Sequence, residues 1–422
     1  MKIMMLTNTF TPHVGGVARS VERFTAEYRR QGHRVLIVAP VFEGMPEEER
    51  DVVRIPAIQR FNGSDFSVVL PVPGFLGTAV ERFRPDIIHS HHPFLLGSTA
   101  MRLAITHNLP LVFTHHTMYE QYTHYVPGDS ETMKKFAVSL ATSYANLCNR
   151  VIAPSESIRE ILLERGVTTP VDVVPTGVRL ADFRRSSGRG MRLALDIPVD
   201  AFVVGHLGRL APEKNLEFLA RSVARFMQNR PRVHFLLVGS GPSLGPVTGI
   251  FARHGVGDRL HHVGVLDQPL LAGAYRAMDL FAFASESETQ GMVLTEAMAA
   301  GVPVVALDAP GVREVVADGI NGRLLAGDSG DDFVAALAAI ADCGEKELQR
   351  LRRGAAATAE KFSLANCARR ALDIYEQLEK QDFKEQEREY QQFGRLLRAI
   401  KGEWDVVRTI ARAAGSVLIP AD

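Results

Sequence analysis

The sequence predicts a doubly wound α/β protein in two tandem halves, on three observations. Short apolar runs bounded by turn residues alternate with helix-length segments. The runs are continuous rather than alternating in polarity. The pattern also pauses once near the middle of the chain and then restarts. Continuous apolar runs mark strands buried on both faces, as in parallel sheets, and strands alternating with helices mark a doubly wound fold. A length of 422 residues suits two domains.

In the first half, KIMMLT, RVLIVAP, DIIHSHH, PLVFTHH, RVIAPS and VDVVPTG read as strands. Helices are expected at 17–31, where Val17, Val21, Phe24 and Tyr28 recur at helical spacing, and at 131–148. Residues 1–176 form the first domain of this scheme. The stretch GVRLADFRRSSGRGM, 177–191, is rich in Gly, Ser and Arg without an apolar period and reads as a linker. FVVGHLGRL, RVHFLLVGSG, LHHVGVL, LFAFASES, VPVVALDAP and GRLLA then supply the strands of a second domain, 192–362. Two such domains facing one another create a cleft at the carboxyl ends of both sheets.

Beyond 362 the chain reads as helical, with one helix at 363–382 and a further extension at 383–422. Within 383–412, Phe393, Leu396, Ile400, Trp404, Val407 and Ala411 make one apolar stripe, with Arg395, Arg398, Lys401, Arg408 and Arg412 near it. Two partners suit that face. Protein is one, either the body of the molecule or a partner subunit. A membrane surface is the other, favoured by the excess of cations.

Lys plus Arg and Asp plus Glu number 48 each, so no overall charge argues for nucleic acid. Cys148, Cys343 and Cys367 are scattered, which suits a reducing compartment and gives neither a disulfide framework nor a metal pair. The N-terminal MKIMMLTNTF is interrupted by Thr7, Asn8 and Thr9 and reads as a buried strand rather than a signal peptide. With no run of about 18 apolar residues, the expectation is a cytoplasmic protein, at most peripheral on the inner membrane face.

Four stretches carry chemistry. In SESETQGMVLTEAMAAG, 285–301, Gly291 opens a helix after a strand. A helix N-terminus presents unpaired amides and partial positive charge, so the amides of Gly291, Met292 and Val293 can cradle a diphosphate. Glu288 ahead of that mouth can accept from sugar hydroxyls or cap the helix. Glu296 lies among apolar residues and needs a polar partner, either a ribose diol or an arginine. In GHLGRLAPEKN, 205–215, Arg209 and Lys214 can clamp two phosphates or lie solvated. In TPHVGGVARS, Gly15 and Gly16 stand between a strand and a helix, without the later glycine of a dinucleotide fingerprint. Finally, HSHHPF and THHTMYEQYTHY place His89, His91, His92, His115, His116 and His124 at strand ends. These rings read as a hydrogen-bonding cleft wall rather than a metal site, since no nearby Asp or Cys completes a ligand set.

In this order and spacing the four stretches resemble the retaining GT-B glycosyltransferases of glycosyltransferase family 4, over about 1–380. The Glu288-to-Glu296 pattern followed by EAMAAGVPVVA is the most specific feature, then GRLAPEKN and LLVGSGP with Gly239. The resemblance implies two Rossmann-like domains facing across a cleft. It implies that Arg209 and Lys214 bind the donor diphosphate, with Gly16 and the amides after Gly291 completing the cradle. Glu296 would hold the nucleotide ribose, Glu288 the transferred sugar, and His116 the sugar near the reacting centre. The base would lie near Val265 and Leu266, and the helix after 362 would cross back onto the first domain. His91, His115, His116, Tyr119 and Tyr122 would line the acceptor side.

Within the family, HHPFLLG, THHTMYEQYTHY and SETQG look most like the diacylglycerol glucosyltransferase branch, which implies UDP-glucose and a lipid hydroxyl. The first 180 residues depart from the basic first domain common in that branch, with 18 Lys and Arg against 17 Asp and Glu. The implied reaction retains the anomeric configuration and uses no metal or other cofactor, only the nucleotide-sugar co-substrate. A soluble or polysaccharide acceptor is the nearest alternative. A sugar-nucleotide 2-epimerase and a non-catalytic sugar-nucleotide-binding protein are further ones.

Overall fold

In a computed structural model of the chain, residues 1–13, 15–58, 68–69, 76–120, 131–184, 187–286 and 288–380 are described. They form two compact units. The first comprises Met1–Pro154, Ile158–Val174 and the chain from Ala368, and the second Ser155–Ser157 and Pro175–Cys367. The apolar stripe of 383–412, with Tyr122 and His124, lies outside the described residues.

The first unit contains β1 (Lys2–Leu6), β2 (Arg34–Pro40), β3 (Val52–Ile55), β4 (Ala57–Ile58), β5 (Val68–Val69), β6 (Ile87–Ser90), β7 (Leu111–Thr114), β8 (Arg150–Ala153) and β9 (Val171–Val173). Among the described residues, seven parallel strands form one sheet in the order β3-β2-β1-β6-β7-β8-β9, and β4 pairs antiparallel with β5 beside it. KIMMLT makes an interior strand because Ile3, Met4, Met5 and Leu6 are all buried, so both faces of β1 are covered. Met4 stands opposite Leu36 on one side and Ile88 on the other. The helix Gly16–Arg30 follows β1 and buries Val21, Phe24 and Tyr28 of the expected stripe, with Val17 half-buried in its first turn. β3 was not expected from the sequence. It is an edge strand whose VVRI is mostly half-buried, so it lacks the continuous apolar signal of its neighbours.

The helix Leu364–Glu379 belongs to the first unit from Ala368 onward. There Tyr375 is fully buried; its hydroxyl lies 2.5 Å from His89 Nδ1 and 3.4 Å from the Tyr28 hydroxyl.

The second unit contains β10 (Phe202–Leu207), β11 (Val233–Val238), β12 (Leu260–Val263), β13 (Leu280–Phe283), β14 (Val304–Leu307) and β15 (Gly322–Leu325), all parallel in the order β12-β11-β10-β13-β14-β15. Successive residues feed opposite faces. Val203 packs in one core cluster with Phe281 and Val304, and Val204 in the other with Leu280 and Val305. Every strand expected in this half is present.

The stretch 177–191, read as a linker, instead carries the short helices Leu180–Arg184 and Gly188–Ala194. Phe183 is 1% exposed, and its ring meets Tyr275 at 5.8 Å. Its apolar residues are too few and too widely spaced to show a period, yet they dock this segment on the core of the second unit.

In both sheets the strand order reverses beside the first strand, between β1 and β6 and between β10 and β13. Adjacent loops diverge there at the carboxyl ends, which is where open α/β sheets take ligands.

Candidate active site

At the switch point of the second unit, the loop after β10 and the loop after β13 are joined by three side-chain bonds. Ser285 Oγ donates to the Glu213 carbonyl at 3.4 Å, and Asn215 Nδ2 donates to Glu286 Oε1 at 3.2 Å. Lys214 Nζ pairs with Glu288 Oε1 at 2.5 Å. Asn215, which follows the turn Pro212–Lys214, has φ 51° and swings the chain into the helix Leu216–Gln228. Asn tolerates that left-handed conformation better than most residues. Arg209, half-exposed, pairs with Glu213. Each cation expected at a diphosphate therefore already holds a carboxylate, and an incoming phosphate would compete for both.

Gly291 takes φ 66° as the N-cap of the helix Met292–Ala299, and no side chain caps that helix. Glu288 is thus engaged by Lys214 rather than by the helix it precedes. Gln290 anchors the mouth. Its Oε1 accepts from the Thr176 amide at 2.6 Å and its Nε2 donates to the Thr176 carbonyl at 2.5 Å. Glu296 is 2% exposed and accepts from the Tyr275 hydroxyl at 2.9 Å. Tyr275, on the helix Leu270–Ala277, is a partner for this carboxylate that the sequence does not suggest.

Gly239 ends β11 with φ 131°, and a Cβ there would stand 1.9 Å from the Gly208 carbonyl oxygen. Only glycine lets the two strand ends approach this closely. Val265, 54% exposed, and Leu266, half-buried, follow β12 at the sheet edge, two strands away from β10.

In the first unit the strand ends carry the histidines. Gly15 and Gly16 open the helix after β1, His91 follows β6, and His115, His116 and Tyr119 follow β7. His91 Nδ1 lies 2.9 Å from His116 Nε2, with the rings stacked at 5.2 Å. Tyr119 meets His115 edge-on at 5.5 Å. His89 is tied to Thr114 Oγ1 at 2.7 Å, and His92 Nδ1 accepts from the Asn8 amide at 3.1 Å, so these two rings are structural.

Burial keeps all five rings neutral. It pushes His89 and His92 down to about 3 and His115 to about 4. His91 and His116 lie well below the usual imidazole range, where neighbouring rings add to the effect of burial. Buried His91 Nε2, His115 Nδ1 and the Tyr119 hydroxyl have no partner among the described residues. The result is an uncharged wall of polar atoms. Among the described residues no group of three or more His, Cys, Asp or Glu side chains is arranged to hold a metal ion.

His206, Tyr275 and Gln290 were not singled out from sequence. Tyr275 and Gln290 carry no local signal, since their partners Glu296 and Thr176 lie 21 and 114 residues away. His206 sits inside the GHLGRLAPEKN stretch itself, where the charged Arg209 and Lys214 are the more conspicuous signal.

Two parallel α/β units, with a cation–carboxylate pair and a glycine-opened helix at the switch point of the second, define a GT-B glycosyltransferase. Residues 14–182 match the model described as Glycosyltransferase Family 4, and residues 191–358 the model described as Glycosyl transferases group 1. The chain is 29% identical to an alpha-monoglucosyldiacylglycerol synthase of Streptococcus pneumoniae over 82% of its length and 81% of that protein. It is 31% identical to a GDP-mannose-dependent alpha-mannosyltransferase of Mycolicibacterium smegmatis, over 77% of its length and 84% of that protein. Among solved structures, Anabaena HepE in complex with UDP-glucose superposes with a TM-score of 0.68 at 22% identity, covering 89% of this chain and all of that one. The chain belongs to glycosyltransferase family 4 and is a hexosyltransferase. Among the described residues no helix is long and apolar enough to cross a membrane.

Proposed function

We propose that the chain transfers glucose from UDP-glucose to an acceptor hydroxyl, with retention of the anomeric configuration and without a metal ion or other cofactor. The observation that carries this reading is the Lys214–Glu288 pair beside the mouth opened by Gly291. A departing diphosphate needs positive charge already in place. Lys214, Arg209 and the amides of Met292 and Val293 supply it, with Gly239 keeping the strand ends close. Phosphate oxygens would draw Lys214 from Glu288, whose carboxylate then accepts from the sugar hydroxyls. Glu296, held by Tyr275 at one oxygen, would take the ribose diol, and the base would rest near Val265 and Leu266.

On the acceptor side, the uncharged wall of His91, His115, His116 and Tyr119 suits a neutral hydroxyl better than an anion. Diacylglycerol is the acceptor favoured by the name of the pneumococcal relative. The bond from the anomeric carbon to the phosphate oxygen breaks, and the acceptor oxygen bonds to the same face. The hydroxyl proton passes to the departing phosphate. Contact with a membrane face through 383–412 would bring the lipid within reach.

A second donor, GDP-mannose, is favoured by the name of the mycobacterial relative. A panel of nucleotide sugars, read by thermal shift and by hydrolysis with and without diacylglycerol micelles, separates the two, since a ligand bound to the native state alone raises its stability. UDP-glucose should stabilise the protein and yield an α-glucosyl lipid. Response to GDP-mannose alone would move the assignment to mannose, and response to no nucleotide sugar would overturn it.

A further inference from the structure

His206 lies on β10, two residues before Gly208, and is 1% exposed. Its ring stacks with Phe281 and Phe283 of β13 at 5.9 and 6.0 Å. Nδ1 stands 3.0 Å from the Ala282 carbonyl oxygen, one step beyond the last β10–β13 register pair, Gly205 with Phe281. A carbonyl oxygen only accepts, so Nδ1 carries the proton and Nε2 is a bare lone pair.

That lone pair is fully buried and has no partner among the described residues. A buried polar atom left unmatched is costly, and such atoms in native proteins call for a specific explanation. Its surroundings supply one. A Cβ built on Gly208 would lie 3.7 Å from Nε2, which places the lone pair beside the start of the loop that carries Lys214. Burial pushes the imidazole down to about 4, the contact with the Ala282 carbonyl pulls it part of the way back up, and the Lys214 ammonium adds a smaller downward push.

We propose that His206 is a positioning residue for Lys214: once phosphate oxygens draw the ammonium from Glu288, the Nε2 lone pair takes one of its N–H groups and aims the others at the leaving diphosphate. Lys has three donors on a flexible stem, so a fixed acceptor behind it converts a mobile charge into a directed one. The inference rests on the donor-site reading above.

A double-mutant cycle on turnover of UDP-glucose tests it. His206→Asn keeps a donor toward Ala282 and removes the acceptor, whereas His206→Gln restores an acceptor near the Nε2 position. H206N should lower kcat roughly 10- to 100-fold with KM little changed, the scale for a misplaced catalytic group. H206Q should recover most of that loss, and H206N should have no further effect in a Lys214→Ala background. In the wild type, the ¹⁵N resonance of His206 Nε2 should shift on adding UDP, and the shift should vanish in K214A; this readout stands even where H206N does not fold. Equal loss in both backgrounds, full kcat in H206N, or an unmoved resonance would overturn the positioning role and leave the donor site standing. No turnover of UDP-glucose or GDP-mannose by the wild type would overturn both.

Discussion

Lys214 Nζ lies 2.5 Å from Glu288 Oε1, joining the loops that leave the neighbouring strands β10 and β13. The two side chains are only 17% and 15% exposed. Removing one partner leaves the other charge partly desolvated, and breaking a fully buried pair costs roughly 3–5 kcal/mol. At this exposure Lys214→Ala should lower unfolding free energy by about 2–3 kcal/mol, below that range because the pair is only partly buried. The double variant Lys214→Met, Glu288→Leu should lose less than K214A alone. Urea unfolding measures both, and an unchanged midpoint in K214A would show that the pair adds nothing to stability.

Tyr275 donates to Glu296 inside the second unit. Tyr275→Phe should cost about 1–3 kcal/mol, the range for a buried group that loses its donor. It should also raise KM for the nucleotide sugar several-fold while kcat stays close to wild type, because a ribose contact is the same in ground and transition states. Steady-state kinetics on the variant check this; a fall in kcat at unchanged KM would mean that Glu296 serves the reacting sugar instead.

Burial depresses His89 and His92 to about 3, and His115 and His206 to about 4. In the unfolded chain the same rings titrate near the ordinary value of about 6.5. Between those values the unfolded state binds more protons, so stability is full above about pH 6.5 and falls with acidification, by up to about 1.4 kcal/mol per pH unit for each ring. His115→Gln should flatten that slope by one ring's share. Denaturation midpoints from pH 4.5 to 8 measure it, and a slope unchanged by the substitution would mean that His115 is not held neutral by the fold.

Gly239 and Gly291 both have positive φ, yet they should respond differently. An alanine at 239 would drive its Cβ to 1.9 Å from the Gly208 carbonyl oxygen, whereas at 291 the nearest atom is Leu294 Cδ1 at 2.8 Å, the end of a side chain that can turn away, and the nearest backbone atom is the Gly311 carbonyl oxygen at 3.2 Å. Gly291→Ala should cost roughly 1–2 kcal/mol, the usual penalty for the left-handed region. Gly239→Ala should cost more and weaken UDP binding as well. Thermal melts with and without UDP compare the two; equal melting temperatures would refute the close approach at Gly239.

Most of the strands were legible because they are apolar runs bounded by turns, the pattern that both-face burial in a parallel sheet demands. The half-exposed edge strands β9 and β12 were legible through the apolar residues and turns around them, whereas the edge strand β3 has VVRI alone. The segment 177–191 misled because Phe183 and Leu180 dock it with too few side chains to show periodicity. At the site, Lys214, Glu288 and Gly291 stood out through their spacing around strand ends. What spacing cannot show is pairing. Glu296 with Tyr275, Thr176 with Gln290, and the orphan lone pair of His206 exist only once distant segments meet.

The central claim is that Lys214 and the helix mouth at Gly291 stabilise a departing nucleoside diphosphate without a metal. Turnover of UDP-glucose by wild type and K214A, each with and without excess EDTA, tests it most directly. Wild-type turnover should be unaffected by EDTA and should fall by a factor of hundreds in K214A, the scale for losing one preorganised charge contact. Turnover that collapses in EDTA, or persists undiminished in K214A, would contradict it.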